Sequence, residues 1–237
     1  MADTVVMRPV GILGGMGPEA TILLMQKCIA AVTSAAQGTL DDADHIPLIV
    51  HQNPQVPSRI ARLIEGHGPD PAPVLAQMAR DLAAAGAQAL AMPCNTAHHY
   101  ADAVRGATAL PFLDMIGATA DHLDRAGARR IGMLASPATR LTGLFDQAFR
   151  ARDMTPVWLA DDAPLLELIR AVKAGQSLDR LAPRMAALAD LAVTQGADHL
   201  LVACTELSLL THAMPEGVPW SDSLDCLTDR IVAFARP

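Results

Sequence analysis

The chain repeats itself, and this constrains its fold more than any other feature. "VGILGG" at 10–15 is echoed by "IGMLAS" at 131–136, "ALAMPCNTAH" at 89–98 by "LLVACTEL" at 200–207, and "LPFLDM" at 110–115 by "VPWSDS" at 218–223. The spacing repeats too: Asp114 follows Cys94 by 20 residues, and Asp222 follows Cys204 by 18. Each echoed segment is an apolar run that ends in Gly, Pro or polar residues, and Ala/Leu-rich stretches of helical character lie between them. That alternation is the mark of a parallel sheet covered by helices on both faces. Self-similarity at the scale of half a chain means two similar units, so the sequence predicts an α/β protein of two halves. The candidate strands are "RPVGILGG", "IPLIVHQ", "AQALAMPC", "LPFLDM", "RRIGMLAS", "TPVWLA", "DHLLVACT" and "VPWSDS", with the link between halves near Ile116 and Gly117.

The echo puts Cys94 and Cys204 at equivalent strand ends. Ligands of open parallel sheets bind beyond the carboxyl ends of the strands, so two facing halves would present both thiols to one cleft. Asn95-Thr96 follow the first cysteine and Thr205-Glu206 the second. A thiol where a strand gives way to a helix sits near free backbone amides and the positive end of the helix dipole. Both lower its pKa from about 8.5 and hold a substrate carboxylate, and the Asn and Thr side chains add donors. A free cysteine is also among the most buried residue types, so one such thiol alone reads equally as packing. The recurrence of a polar sequel after the second cysteine favours a functional pair, because core packing gives no reason to repeat it. Cys28 and Cys226 lack that sequel and read as packing residues. Two acid/base thiols facing each other across a small cleft suit a reaction that removes a proton from one face of a carbon and returns one to the other, which is racemisation.

With 237 residues, 51% of them apolar, the chain has ample material for a core. Its formal net charge of −7 is spread without long runs of one sign, which disfavours nucleic acid and anionic membranes as partners and leaves a small molecule. The N-terminal "MADTVVMRPVGILGG" carries an acid where a secretory signal carries positive charge, and no apolar run approaches the roughly 20 residues of a membrane span. The four cysteines form no CxxC pair, so neither a metal site nor a disulfide framework is expected, and a reducing cytoplasm suits them.

Gly15, Gly17 and Ala20 fit the dinucleotide fingerprint G-x-G-x-x-G/A, but Pro18 removes an amide from the turn that should cradle pyrophosphate, and Asp41, Asp42 and Asp44 follow a loop-like stretch with no clear strand tip. The motif reads instead as a tight turn lining the cleft, with Met16 packing over the substrate. "HQNPQVPSR" is a proline-interrupted loop leaving the second strand. His98 and His99 begin the segment after Cys94 and suit capping or packing as well as a place on the cleft. Lys27 and Lys173 are the only lysines. Lys27 falls on the solvated face of the amphipathic "TILLMQKCIAAV", which leaves no good Schiff-base candidate for pyridoxal phosphate; no cofactor is expected.

"GILGGMGPEAT" at 11–21, "HQNPQVPSR" at 51–59, "MPCNTAHHY" at 92–100, "IRAVKAG" at 169–175 and "ACTELSLL" at 203–210 together, in this order and spacing, resemble the aspartate/glutamate racemase superfamily over nearly the whole chain. Gly14-Gly15-Met16 and Cys204-Thr205-Glu206 stand where glutamate racemases carry an Asp-Ser pair and a His, which is similar to the aspartate branch. The resemblance implies two flavodoxin-like parallel-sheet domains related by pseudo-symmetry, 1–116 and 117–222, with the helix 223–237 returning to the first, the active site in the interdomain cleft, and a homodimer. It implies a racemase of aspartate, with glutamate as the alternative, in which Cys94 and Cys204 are the acid/base pair. Asn95, Thr96 and Thr205 then hold the α-carboxylate, Gln52 and Asn53 line the cleft, and Arg59 and Lys173 take the side-chain carboxylate, Arg59 in bidentate fashion. Glu206 either polarises the surroundings of Cys204 or is a solvent-facing carboxylate at a helix start. Two other activities stay open: an isomerase or decarboxylase of small dicarboxylates, and a non-catalytic amino-acid-binding module.

Overall fold

The computed structural model describes residues 7–36 and 40–236. The first six residues, read above for a leader, residues 37–39 of the acidic loop, and residue 237 lie outside the described residues. The first half runs β1 (Val10–Gly14), α1 (Pro18–Ala35), β2 (Leu48–Gln52), α2 (Arg59–Leu63), α3 (Ala72–Ala84), β3 (Ala89–Ala91), α4 (Ala101–Arg105) and β4 (Phe112–Leu113). After α5 (Met115–Arg125) come β5 (Arg130–Ala135), α6 (Pro137–Thr142), α7 (Leu144–Arg150), β6 (Thr155–Trp158), α8 (Ala163–Lys173), α9 (Leu178–Thr194), β7 (His199–Ala203), β8 (Trp220–Asp222) and α10 (Ser223–Ala235). Each of the eight candidate segments contains a strand. They form two four-stranded sheets, β2-β1-β3-β4 and β6-β5-β7-β8, with every pairing parallel. The fold is therefore α/β with two parallel sheets in the same flavodoxin-like order.

The echo has a physical cause at each point. Gly11 in β1 and Gly132 in β5 occupy matching places, and each lies where a helix crosses its sheet closely. A Cβ on Gly11 would come within 2.9 Å of Ala87 and 3.1 Å of Leu82; one on Gly132 would come within 2.9 Å of Ala197 and 3.1 Å of Ala192. Asp114 and Asp222 also match. Each caps the helix after the fourth strand of its sheet, Asp114 accepting from the amides of Ile116 and Gly117, Asp222 from that of Leu224. Ile116 and Gly117, read as the link between halves, thus lie in the first turn of α5.

α10 turns back to the first sheet. Leu224, Leu227 and Ile231 are fully buried in one cluster with Val10, Ile12, Leu24 and Cys28, each such side chain contributing about 1.5–3 kcal/mol. This return corrects one expectation. Lys27 does not face solvent: its side chain is 21% exposed, and its Nζ lies 2.5 Å from Asp225 of α10. The face of α1 that carries Lys27 is covered by a helix two hundred residues away in sequence. Cys28 and Cys226 are both buried, and burial pushes both thiols up to about 12, consistent with packing roles.

Candidate active site

The glycine turn after β1 is shaped by close backbone approach. Gly15 has φ +93°, and a Cβ there would sit 2.4 Å from the backbone carbon of Asn53. Its amide donates to Thr21 Oγ1 at 3.0 Å, so Thr21 occupies the turn from within. Asp41 and Asp44 cap a short turn, Asp44 Oδ2 accepting from the Asp41 amide at 2.8 Å and Asp41 Oδ1 from the Asp42 amide at 2.7 Å. These are local jobs within the turn and the loop.

Beyond the strand ends lies a cleft of about 380 Å³, counting its open mouth. Met16, Arg59, Cys94, Thr96, Lys173, Cys204 and Glu206 line it, together with Ser58, Ile60, Ser136 and Ile169. Four residues anticipated for the site are not among its lining. Gln52 ends β2 at the surface, and Asn53 turns its side chain to the amide of Gln55. Asn95 is buried and donates from Nδ2 to Ser223 Oγ at 3.0 Å, with Oδ1 unpartnered. Thr205 is 2% exposed.

Cys94 follows β3 and Cys204 follows β7, the matching strands of the two sheets, and each thiol-bearing residue is 7% exposed. The residue two positions on differs. Thr96 Oγ1 lies 2.8 Å from Thr139 Oγ1 and 3.2 Å from Ser136 Oγ, so it reaches across to the first turn of the other half. Glu206 reaches across in the opposite sense, its Oε1 3.4 Å from where a Cβ on Gly17 would stand. Its Oε2 accepts from Cys204 Sγ at 3.1 Å, and Oε1 makes an ionic contact with Lys173 Nζ at 2.8 Å. Burial, then the charge of Glu206, push the Cys204 thiol well above its ordinary value. Burial is the largest single influence on Lys173 and pulls its ammonium down, but the charge and hydrogen bond of Glu206 together with the charges of Cys204 and Cys94 outweigh it, and the net shift is upward.

Each half also contributes one cation to the cleft. Arg59 opens the helix after β2 and Lys173 closes the helix after β6. Arg59 gives NH1 to the carbonyls of Pro57 and Val56 at 3.1 and 3.4 Å and NH2 to that of Met16 at 3.2 Å, while its buried Nε has no partner. His98 is fully occupied: Nδ1 donates to the Cys94 carbonyl at 2.9 Å, and Nε2 accepts from the Met115 amide at 3.2 Å. That arrangement requires the neutral ring, and burial lowers its pKa accordingly. His98 fixes the Cys94 turn to α5. Of the lining residues the sequence reading passed over, Ser136 had a signal: it stands in "IGMLAS" where Gly15 stands in "VGILGG". Among the described residues, no group of three or more His, Cys, Asp or Glu could hold a metal ion, and no helix is long and apolar enough to cross a membrane.

Comparison with known proteins places this geometry. The profile of the Asp/Glu/hydantoin racemase family matches residues 13–231. The chain is 24% identical over 228 residues to the broad specificity amino-acid racemase RacX of Bacillus subtilis (strain 168), covering 94% of this chain and 96% of that protein. Among solved structures it resembles the Picrophilus torridus aspartate racemase with a TM-score of 0.83 and 26% identity, over 96% of this chain and 94% of that one. It shares the fold of the Francisella tularensis glutamate racemase, crystallised with D-glutamate, with a TM-score of 0.62 and 16% identity, over 95% of this chain and 80% of that one.

Proposed function

The chain belongs to the Asp/Glu/hydantoin racemase family, and from that premise we propose that it interconverts L- and D-aspartate, without a cofactor, through Cys94 and Cys204. The observation that carries this reading is that two thiols from matching strand ends of two sheets line one cleft. One thiolate takes the α-proton, the opposite thiol protonates the other face, and exchanging their protonation states runs the reaction backward. Thr96, on the cleft wall, orients the α-carboxylate, and Asn95 and Thr205 shape the thiol-bearing turns behind it. Arg59 Nε and the Lys173 ammonium are the cations available to the side-chain carboxylate, and Met16 closes the apolar wall. The same reading divides the chain near residue 116 into two lobes and takes the working form to be a cytoplasmic homodimer.

Incubating the purified protein with single enantiomers of aspartate, glutamate, alanine and serine, followed by chiral chromatography, tests it. Racemisation of aspartate with no added pyridoxal phosphate, metal or nucleotide is the expected result. Absence of D/L exchange with every amino acid refutes the racemase reading; exchange of neutral amino acids alone refutes the acidic-substrate assignment.

A further inference from the structure

The two thiols have different partners. At the position two residues after each cysteine, the first half presents a neutral hydroxyl, Thr96, engaged with Ser136 and Thr139. The second half presents a carboxylate, Glu206, which accepts the thiol hydrogen of Cys204 at 3.1 Å and is held from its other oxygen by Lys173 at 2.8 Å. As whole residues both cysteines are 7% exposed. We propose that Glu206 is a positioning residue that keeps Cys204 protonated, so that in the resting enzyme Cys204 is the proton donor and Cys94 the acceptor.

The charges around the pair support this. Lys173 approaches from α8, Cys94 faces from the other sheet, Arg59 stands on the same cleft from α2, and Glu19, in the first turn of α1, brings a second carboxylate beside Glu206, each with an oxygen 3.4 Å from where a Cβ on Gly17 would stand. Lys173 is spent on Glu206 at 2.8 Å, whereas the carboxylate next to Cys204 directly opposes a thiolate there. The inference rests on the racemase reading for its consequence. From the resting form, Cys94 thiolate removes the α-proton of the enantiomer that faces it, and the Cys204 S–H bond breaks to protonate the opposite face. Cys94 thiol and Cys204 thiolate result, and the beginning state returns when a proton passes from Cys94 to Cys204 through solvent. Because the two enantiomers are equal in energy, kcat/KM must be the same in both directions, and the asymmetry is confined to kcat and KM separately and to the reactivity of the thiols.

Alkylation by iodoacetamide measures that reactivity without any substrate. Rates at each cysteine are followed by peptide mass spectrometry from about pH 6 to about pH 9.5, bracketing the ordinary thiol value near 8.5. In the unmodified protein Cys94 should react at least about tenfold faster than Cys204 near neutrality, since the carboxylate 3.1 Å from Cys204 Sγ opposes its thiolate. Glu206→Gln should move the Cys204 profile down by about one pH unit, a roughly tenfold gain in rate, and Glu206→Asp should restore part of the difference. Lys173→Met should act in the opposite sense and slow Cys204 further, because the carboxylate is then unopposed. Loosening of the site would expose the thiol and accelerate it in both variants, so opposite signs separate positioning from structural damage. An unchanged Cys204 profile in Glu206→Gln, acceleration in both variants, or a wild-type Cys204 faster than Cys94 overturns the proposal. The chiral panel run on the same preparations tests the racemase reading independently of this outcome.

Discussion

The contact between Lys173 and Glu206 should be measurable as a coupling in stability. The ammonium lies 2.8 Å from Oε1, with the lysine side chain 38% exposed and the glutamate 9%. Two unit charges with centres about 4 Å apart interact by about 4 kcal/mol at an effective dielectric constant near 20. Solvent around the half-exposed lysine screens part of this, and withdrawing Glu206 from water costs part of the rest, leaving a net of about 1–2 kcal/mol. Lys173→Met should therefore lower the unfolding free energy in urea by about 2 kcal/mol, since it leaves a buried carboxylate whose remaining partner is a thiol. Glu206→Gln should cost about 1 kcal/mol, because the exposed lysine left behind can turn to water. The double variant should lose less than the sum of the two by about 1–2 kcal/mol. Additivity to within about 0.5 kcal/mol would refute the pairing as an energetic link.

Cys94→Ser and Cys204→Ser should each abolish racemisation, since a hydroxyl is too weak a base near neutral pH; residual α-proton exchange in deuterated water, read by mass spectrometry, should favour opposite enantiomers in the two variants, and equal loss in both would remove the assignment of faces. Arg59→Leu, which takes away a cation that lines the cleft, should reduce kcat/KM for aspartate roughly 30-fold or more, corresponding to about 2 kcal/mol or more for a charge-assisted partner, with neutral amino acids much less affected in the same steady-state assay. Burial raises the Asp222 carboxyl from 3.8 to about 6, so the folded chain keeps this proton to higher pH than the unfolded chain; the stability it contributes is full below 3.8 and is lost as pH rises through about 6, by at most about 3 kcal/mol. Asp222→Asn retains an oxygen for the Leu224 amide and the Ser208 hydroxyl and should flatten urea midpoints between those pH values; an undiminished slope would assign the pH dependence elsewhere.

The strands were legible because a buried parallel strand must be an apolar run closed by a turn residue, and even β4, with Phe112 and Leu113 alone in the ladder, kept that signature. What the sequence did not disclose depends on contacts between distant segments. Lys27 fits an exposed helix face until α10 covers it, and the contact of Lys173 with Glu206 joins residues that no periodicity relates. The cleft follows the same division. Where the two halves agree, at Gly11 and Gly132, Asp114 and Asp222, Cys94 and Cys204, the repeat is needed to pack a helix, cap a helix or place a thiol, and the echo announces it. On the cleft the halves diverge: two residues after each cysteine Thr96 stands against Glu206, and Ser136 lines the cleft at the position that is Gly15 in the first half. Two equivalent lobes alone would surround a substrate with equivalent groups, yet an amino acid presents a different substituent on each side of its α-carbon. Residues that break the repeat on the cleft wall give its two sides different chemistry, and a sequence search for such a site should look for the places where an internal echo fails.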